Sequence, residues 1–217
     1  MASSVGRKRI RKSPEARRAE IVDAATAVAL TEGLECVTLR RVADDLAVRP
    51  GLISHYFPAV EDLVAEAFGT AAGVELDGLL PADRPTGTAT DHLARFLART
   101  SGEDYDAISR LWINARHLSR YRPVLRDRVR EQEAAWRGRL EGLLREGVDR
   151  GEFRTADPYV STVQILVVLD GLGAHANTDT GDRPAAATRM AAATAEHALG
   201  LAGGALATPA APSDPAR

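Results

Sequence analysis

Two short amphipathic segments separated by a tight turn, between Thr38 and Phe57, constrain this chain more than any other part of it. Thr38 suits a helix N-cap. Leu39, Val42, Ala43 and Leu46 recur at three- and four-residue steps, so one side of the first segment is buried while Arg40, Arg41, Asp44 and Asp45 stay wet. The turn falls at Ala47–Arg49. Pro50 suits the first position of a second helix, where its missing N–H has no intrahelical partner in any case, and Leu52, Ile53 and Tyr56 supply the buried side. Arg49, Gly51, Ser54 and His55 are left facing outward. The spacing predicts a helix-turn-helix whose second helix can enter a DNA major groove while the first crosses the backbone. Such helix pairs also occur in all-helical proteins that never meet DNA, and the flanking sequence separates the two cases. Arg7, Lys8, Arg9, Arg11, Lys12, Arg17 and Arg18 precede the motif, a basic arm placed to neutralise phosphates.

Residues 15–63 resemble the N-terminal domain of the TetR family of dimeric, ligand-responsive transcriptional repressors, and Pro50-Gly51-Leu52-Ile53-Ser54-His55-Tyr56-Phe57 is similar to the recognition helix of its choline-sensing branch. The chain departs from the family pattern in three places. Ala47 stands where Gly is usual in the turn, Arg49 where Ser often caps the recognition helix, and Val60 where a phosphate-contacting Lys begins the fourth helix. The resemblance implies an all-α, nine-helix fold with a three-helix head at residues 13–57 and a ligand-binding and dimerisation body at 58–201, between a disordered basic arm (1–12) and a disordered tail (202–217). DNA contacts are expected from Arg7, Arg9, Arg11, Thr38, Arg40, Arg49, Pro50, Gly51, Ser54, His55 and Tyr56. Among them Arg49 and Ser54 are placed nearer base edges, and His55 and Tyr56 nearer phosphates.

Charge divides along the same line. Residues 1–57 hold 10 Lys/Arg against 7 Asp/Glu, and residues 58–217 hold 18 against 23, so a net charge of −2 hides a basic head and an acidic body. One end suits a polyanion and the other does not. No apolar run approaches the roughly 18 residues of a membrane span, and the basic N-terminus lacks the apolar region of a secretory signal, so a cytoplasmic protein with no membrane partner is expected. A lone cysteine, Cys36, excludes an internal disulfide and reads, beside Val37, as a small core residue.

Further along, Ser13-Pro14-Glu15 gives a cap, a first-turn proline and an early acid, with Ile21, Ala25, Val28 and Ala29 as a buried stripe and Gly33 as the stop. A fourth helix is predicted from about Val60 to Leu80, with Gly69 and Gly73 allowing close packing, then a loop around Pro81 and Pro85. Leu93, Phe96 and Leu97 mark the fifth helix, and Ile108, Leu111, Trp112 and Ala115 the sixth. Pro123 opens the seventh, whose stripe is Leu125, Val129, Trp136, Leu140 and Leu144, with Glu133–Arg137, Glu141–Arg145 and Glu146–Arg150 as i,i+4 pairs. Asp157-Pro158 starts an eighth helix that is apolar around nearly its whole circumference, and an alanine-rich ninth follows a loop at Gly181–Pro184. These last two, near 157–176 and 184–201, are the expected homodimer surface.

The catalytic inventory is thin. The five histidines lack metal-ligand spacing, and no nucleophile elbow, phosphate loop or dinucleotide fingerprint is present, so neither an enzyme nor a cofactor is expected. A small-molecule pocket fits better, built from Tyr105, Trp112, Asn114, His117, Trp136, Gln164 and Asp170. The body concentrates most of the chain's aromatic residues, and Tyr105, Trp112 and Trp136, with Tyr121 and Tyr159, are the candidates for the pocket. Aromatic side chains can cage a quaternary ammonium, choline being one candidate, although core packing is the commoner fate of a Trp on a helix stripe. The function expected is a homodimeric repressor on a near-palindromic double-stranded operator, released by a small-molecule inducer. A ligand-binding or scaffold protein whose head meets another protein is the alternative.

Overall fold

A computed structural model describes residues 12–100, 103–178 and 185–207. Among these residues the regular elements are nine α-helices and one 3-10 turn, without strands. The expected contacts of Arg7, Arg9 and Arg11, and the loop at 181–184, lie outside the described residues.

Helix α1 (Pro14–Glu32) starts where its chemistry predicts. Ser13 caps it by accepting from the Ala16 amide, proline occupies the first turn, and Gly33 ends it at φ 103°. A 3-10 turn (Leu34–Cys36) leads to α2 (Leu39–Asp45), capped by the Thr38 side chain on the Arg41 amide. This turn directs Leu34 and Val37 into the core and leaves Cys36 exposed, so the cysteine is not the core residue its neighbour suggested.

The turn between α2 and α3 (Pro50–Tyr56) is a Schellman closure: the Val48 amide reaches the Ala43 carbonyl at 2.9 Å and the Ala47 amide the Asp44 carbonyl at 3.2 Å. That geometry requires a left-handed residue, and Ala47 supplies it at φ 51°, the one positive-φ non-glycine among the described residues. An L side chain there costs about 1–2 kcal/mol. Replacing Ala47 with Gly is expected to stabilise the fold by about 1 kcal/mol after glycine's greater unfolded-state freedom is subtracted, raising the thermal midpoint by about 2–4 °C. Differential scanning calorimetry checks this, and a fall in the midpoint would contradict it.

Helix α4 (Val60–Leu79) runs from head to body and packs on α1 and on α7 (Pro123–Asp149). At Gly69 an added Cβ would stand 2.7 Å from Arg128 Cδ of α7, so this glycine does allow close approach, whereas Gly73 faces open space. The body is completed by α5 (Ala89–Ala98), α6 (Glu103–Ser119), α8 (Pro158–Ala176) and α9 (Ala185–Ala198). Asp157 caps α8 by accepting from the Tyr159 and Val160 amides. By length and composition alone α8 is apolar enough to cross a membrane, contrary to the sequence reading, but its Ile165 and Leu169 are buried in the helical core against α6, α7 and α9. Val160 and Val167 of α8 are exposed, as is Met190 on α9.

Two expectations fail in detail. Residues 202–207, within the segment expected to be disordered, pack on the body: Leu206 is buried in the core and its amide donates to Glu196 at 2.9 Å. On α7, Glu141–Arg145 and Glu146–Arg150 pair at 2.5 and 2.8 Å, but Glu133 turns away from Arg137 to meet Arg116 of α6 at 3.1 Å.

Candidate functional site

The head presents one side of α3. Ile53 is completely buried and anchors the helix, with Leu52 and Tyr56 half-buried beside it, while Arg49, Gly51 and His55 are exposed. Ser54 differs from expectation: it is half-buried and its hydroxyl donates to the Gly51 carbonyl at 3.3 Å, because a short polar side chain in a helix finds the preceding turn. Arg49 is the N-cap residue and makes no side-chain cap, so its guanidinium is left for other partners at the positive end of the helix. Arg40 is strongly exposed, with Asp44 at 4.0 Å, whereas Arg41 is held against Glu32 of α1 at 2.5 Å. His55 and Tyr56 pack edge-to-face at 5.3 Å between ring centroids.

In the body, α4 to α8 line a cavity of about 260 Å³ that opens to solvent past Tyr159 and Val167. Helix α6 lines it with Tyr105, Ser109, Trp112 and Arg116, α7 with Glu133, Trp136 and Arg137, and α8 with Tyr159, Val163, Leu166, Val167, Leu169 and Asp170; Glu75 of α4 and Phe96 of α5 close it. Four of the expected ligand residues, Tyr105, Trp112, Trp136 and Asp170, therefore meet. The remaining three do not line it, for reasons of helical phase. The α6 lining recurs at steps of four, three and four, so Asn114 and His117 fall on other sides of that helix. Gln164 is likewise turned out of the α8 lining and is exposed. His117 packs instead on exposed Tyr121, 6.1 Å between rings.

Asn114 has a different task. Its Nδ2 donates to Glu35 at 2.7 Å and its Oδ1 accepts from the Leu34 amide at 2.8 Å, tying α6 to the turn that precedes the helix-turn-helix. A second tie runs through α4: Arg18 of α1 grips Glu66, one branch at 2.5 Å, and its guanidinium lies 4.7 Å over the Phe57 ring. Pocket and head thus share two helices.

The pocket's charges are arranged around Arg116. Its guanidinium contacts Asp170 at 2.9 Å and Glu133 at 3.1 Å and lies 5.1 Å from the Trp112 ring centroid. Burial alone would lower its pKa, but the two carboxylates outweigh burial and raise it. Burial also raises Asp170, despite the attraction of Arg116. Glu75 accepts a hydrogen bond from Trp112 Nε1 at 2.8 Å. Burial pushes its carboxyl up to about 7, the Trp112 bond opposing the rise and the nearby Asp170 adding to it. Trp136 Nε1 is buried without a hydrogen-bond partner among the described residues.

Glu75, Arg116 and Glu133 were missed in the sequence. The four-three-four step back and forward from Trp112 would have found Ser109 and Arg116; nothing in the sequence marks Glu75, which lies on the connecting helix and reaches the pocket only through tertiary packing. No group of three or more metal-ligating side chains occurs among the described residues.

A helix-turn-helix head joined by two helices to a body with an aromatic, acidic cavity defines a DNA-binding regulator that responds to a small molecule. Comparison with known families supports that class on both parts: residues 21–67 match the bacterial regulatory proteins of the tetR family, and residues 89–201 match the C-terminal part of BetI-type transcriptional repressors. The chain belongs to the tetR family, with a body of the BetI type. No curated protein sequence matches the chain. Among solved structures, a transcriptional regulator from Saccharomonospora viridis in complex with choline is similar at 19% identity and a TM-score of 0.73, covering 85% of this chain and 98% of that one. A TetR transcription regulator from Haloarcula marismortui is similar at 21% identity and 0.73, covering 85% and 99%. FadR from Bacillus subtilis in complex with stearoyl-CoA has 21% identity and a TM-score of 0.63, covering 83% and 97%.

Proposed function

We propose that this ligand-responsive, DNA-binding transcriptional repressor acts in the cytoplasm as a homodimer on a near-palindromic operator and is released by a small organic cation. It is a regulator and carries no catalytic step. Residues 13–57 form the DNA-binding head, with arm residues Arg7, Arg9 and Arg11 on phosphates, and 58–201 form the body. The reading rests chiefly on α3, whose buried Ile53 fixes it while exposed Arg49 and Gly51 form an unobstructed N-terminal end. Thr38, Arg40, Pro50, Ser54, His55 and Tyr56 complete the DNA-facing set.

Dimerisation is supported by exposed Val160 on α8 and Met190 on α9, apolar side chains outside the cavity that a second copy would remove from water. Two symmetry-related α3 helices would then sit about 34–36 Å apart, one helical turn of DNA. The cation is supported by five aromatic side chains, Phe96, Tyr105, Trp112, Trp136 and Tyr159, around a cavity whose lining carboxylates outnumber its guanidiniums. Choline, found in the Saccharomonospora viridis regulator, is a candidate of suitable chemistry. The cavity falls just below the roughly 300–1,000 Å³ usual for small-molecule sites and so favours a compact ligand.

Selection from a randomised DNA pool at physiological salt tests the reading, and the unaltered chain should enrich a palindromic sequence. Arg49→Ala should then lose about 1–3 kcal/mol of discrimination at one base pair per half-site, because a guanidinium can bridge guanine O6 and N7. Equal loss on every operator variant would put Arg49 on the backbone, and no enrichment over bulk DNA would sink the operator reading.

A further inference from the structure

Around the cavity, Glu75, Glu133 and Asp170 face Arg116 and Arg137, three acids against two bases. Their placement is uneven. Arg116 neutralises Glu133 and Asp170 together, at 3.1 and 2.9 Å. Glu75 makes no ion pair among the described residues; its hydrogen bond comes from Trp112 Nε1, an uncharged donor, at 2.8 Å. The same indole also supplies an aromatic wall, so the one acid left without a counter-ion stands beside a ring suited to a cation. A half-buried carboxylate in that position needs a positive partner or a proton.

We propose that the inducer is a singly charged organic ammonium that exchanges for a proton at Glu75, making this residue the one that selects a cation over a neutral molecule of the same shape. The inference rests on the organic-cation reading of the pocket. The step balances: the Glu75 carboxyl loses its proton to solvent, and the carboxylate pairs with the arriving ammonium. With Glu75 protonated the five lining charges sum to zero, and with Glu75 ionised and a monovalent cation bound they sum to zero again. An empty pocket with Glu75 ionised carries one uncompensated negative charge.

The groups facing Glu75 agree with this. Helix α6 presents Tyr105, Trp112 and Arg116, α7 contributes Glu133 and Arg137 to the same lining, and α8 contributes Asp170. Asp170 raises the Glu75 pKa and Arg116 lowers it, but burial dominates and sets it at about 7. Burial also keeps the Tyr105 phenol protonated well beyond that range. The exchange therefore falls near neutral pH. Below the Glu75 pKa, affinity for a cation should rise about tenfold per pH unit, and above it should level off.

The test is isothermal titration of the full chain with choline and with its neutral isostere 3,3-dimethylbutan-1-ol, from pH 5.5 to 8.5, in two buffers of different ionisation enthalpy. The inference expects choline affinity to climb and then plateau near pH 7, with close to one proton released per choline at pH 6 and the neutral alcohol at least tenfold weaker at pH 8. Glu75→Gln should flatten the pH profile and weaken choline at least tenfold at pH 8; proton release from the unaltered chain gives the answer even if that variant folds poorly. Choline binding that is independent of pH and releases no proton would overturn the exchange and leave the cation pocket standing. Failure of both choline and tetramethylammonium to bind at any pH would overturn the cation pocket and the exchange together.

Discussion

Raising the salt from about 50 to 200 mM is expected to weaken operator binding by about 10³–10⁵-fold, the response of a protein that neutralises six to ten phosphates. The chain's net charge of −2 gives no hint of this, because counterion release depends on where cations sit. They sit at the head: 10 Lys/Arg fall within residues 1–57, with Arg7, Arg9 and Arg11 ahead of α1 and exposed Arg40 and Arg49 within the helix-turn-helix. Other cations of the head are already committed. Arg18 holds Glu66 and Arg41 holds Glu32, so neither should contribute to the slope. Fluorescence anisotropy on a labelled operator, at a series of salt concentrations, measures the slope of log affinity against log salt. Deleting residues 1–12 should make it shallower, and an unchanged slope would remove the arm from the phosphate contacts.

Phe68→Ala is expected to cost about 3–5 kcal/mol of stability. This side chain is completely buried in α4 and meets Trp112 edge-to-face at 5.0 Å, so truncation removes apolar burial, an aromatic contact and the support of the pocket wall at once. Val74 lies six residues on along the same helix but is 70% exposed, and Val74→Ala should stay within about 0.5 kcal/mol. Urea unfolding of the two variants should shift the midpoint in the first case and not in the second. A Phe68→Ala loss below about 1 kcal/mol would mean that the α4–α6 contact is not part of the packed core.

Helix ends were legible in the sequence because their determinants are local. Ser13, Thr38 and Asp157 cap their helices through their own side chains, and Pro14, Pro50, Pro123 and Pro158 occupy first turns. Pocket residues were most legible where bulk and helical phase coincided, as at Trp112 and Trp136, and Asp170 was the one polar candidate on the lining side of its helix. Asn114 shares α6 with the pocket lining but points to the head, a distinction of about one-half turn that a list of polar residues cannot make. Glu133 was assigned by i,i+4 spacing to Arg137, yet it meets Arg116, which also holds Asp170, because α6 brings that guanidinium across to it. The left-handed turn was marked by Ala47 standing where glycine is usual, and the structure accepts the strain without moving the turn.

Pocket and head are joined through α6, by Asn114 on the turn at Leu34–Cys36, and through α4, by Glu66 on Arg18. A ligand that favours the DNA-incompetent arrangement 100-fold would supply about 2.7 kcal/mol per site, and operator must then weaken ligand binding by the same factor. Tryptophan fluorescence can follow this directly, since the chain's only two tryptophans, Trp112 and Trp136, both line the cavity. The decisive measurement is the affinity for choline at pH 8, read from their emission with and without saturating operator. The account predicts a weaker affinity with operator bound, by the factor with which choline weakens operator binding in the converse titration. Equal choline affinity in the two titrations would contradict it, because a cavity indifferent to DNA is not the site that releases the repressor.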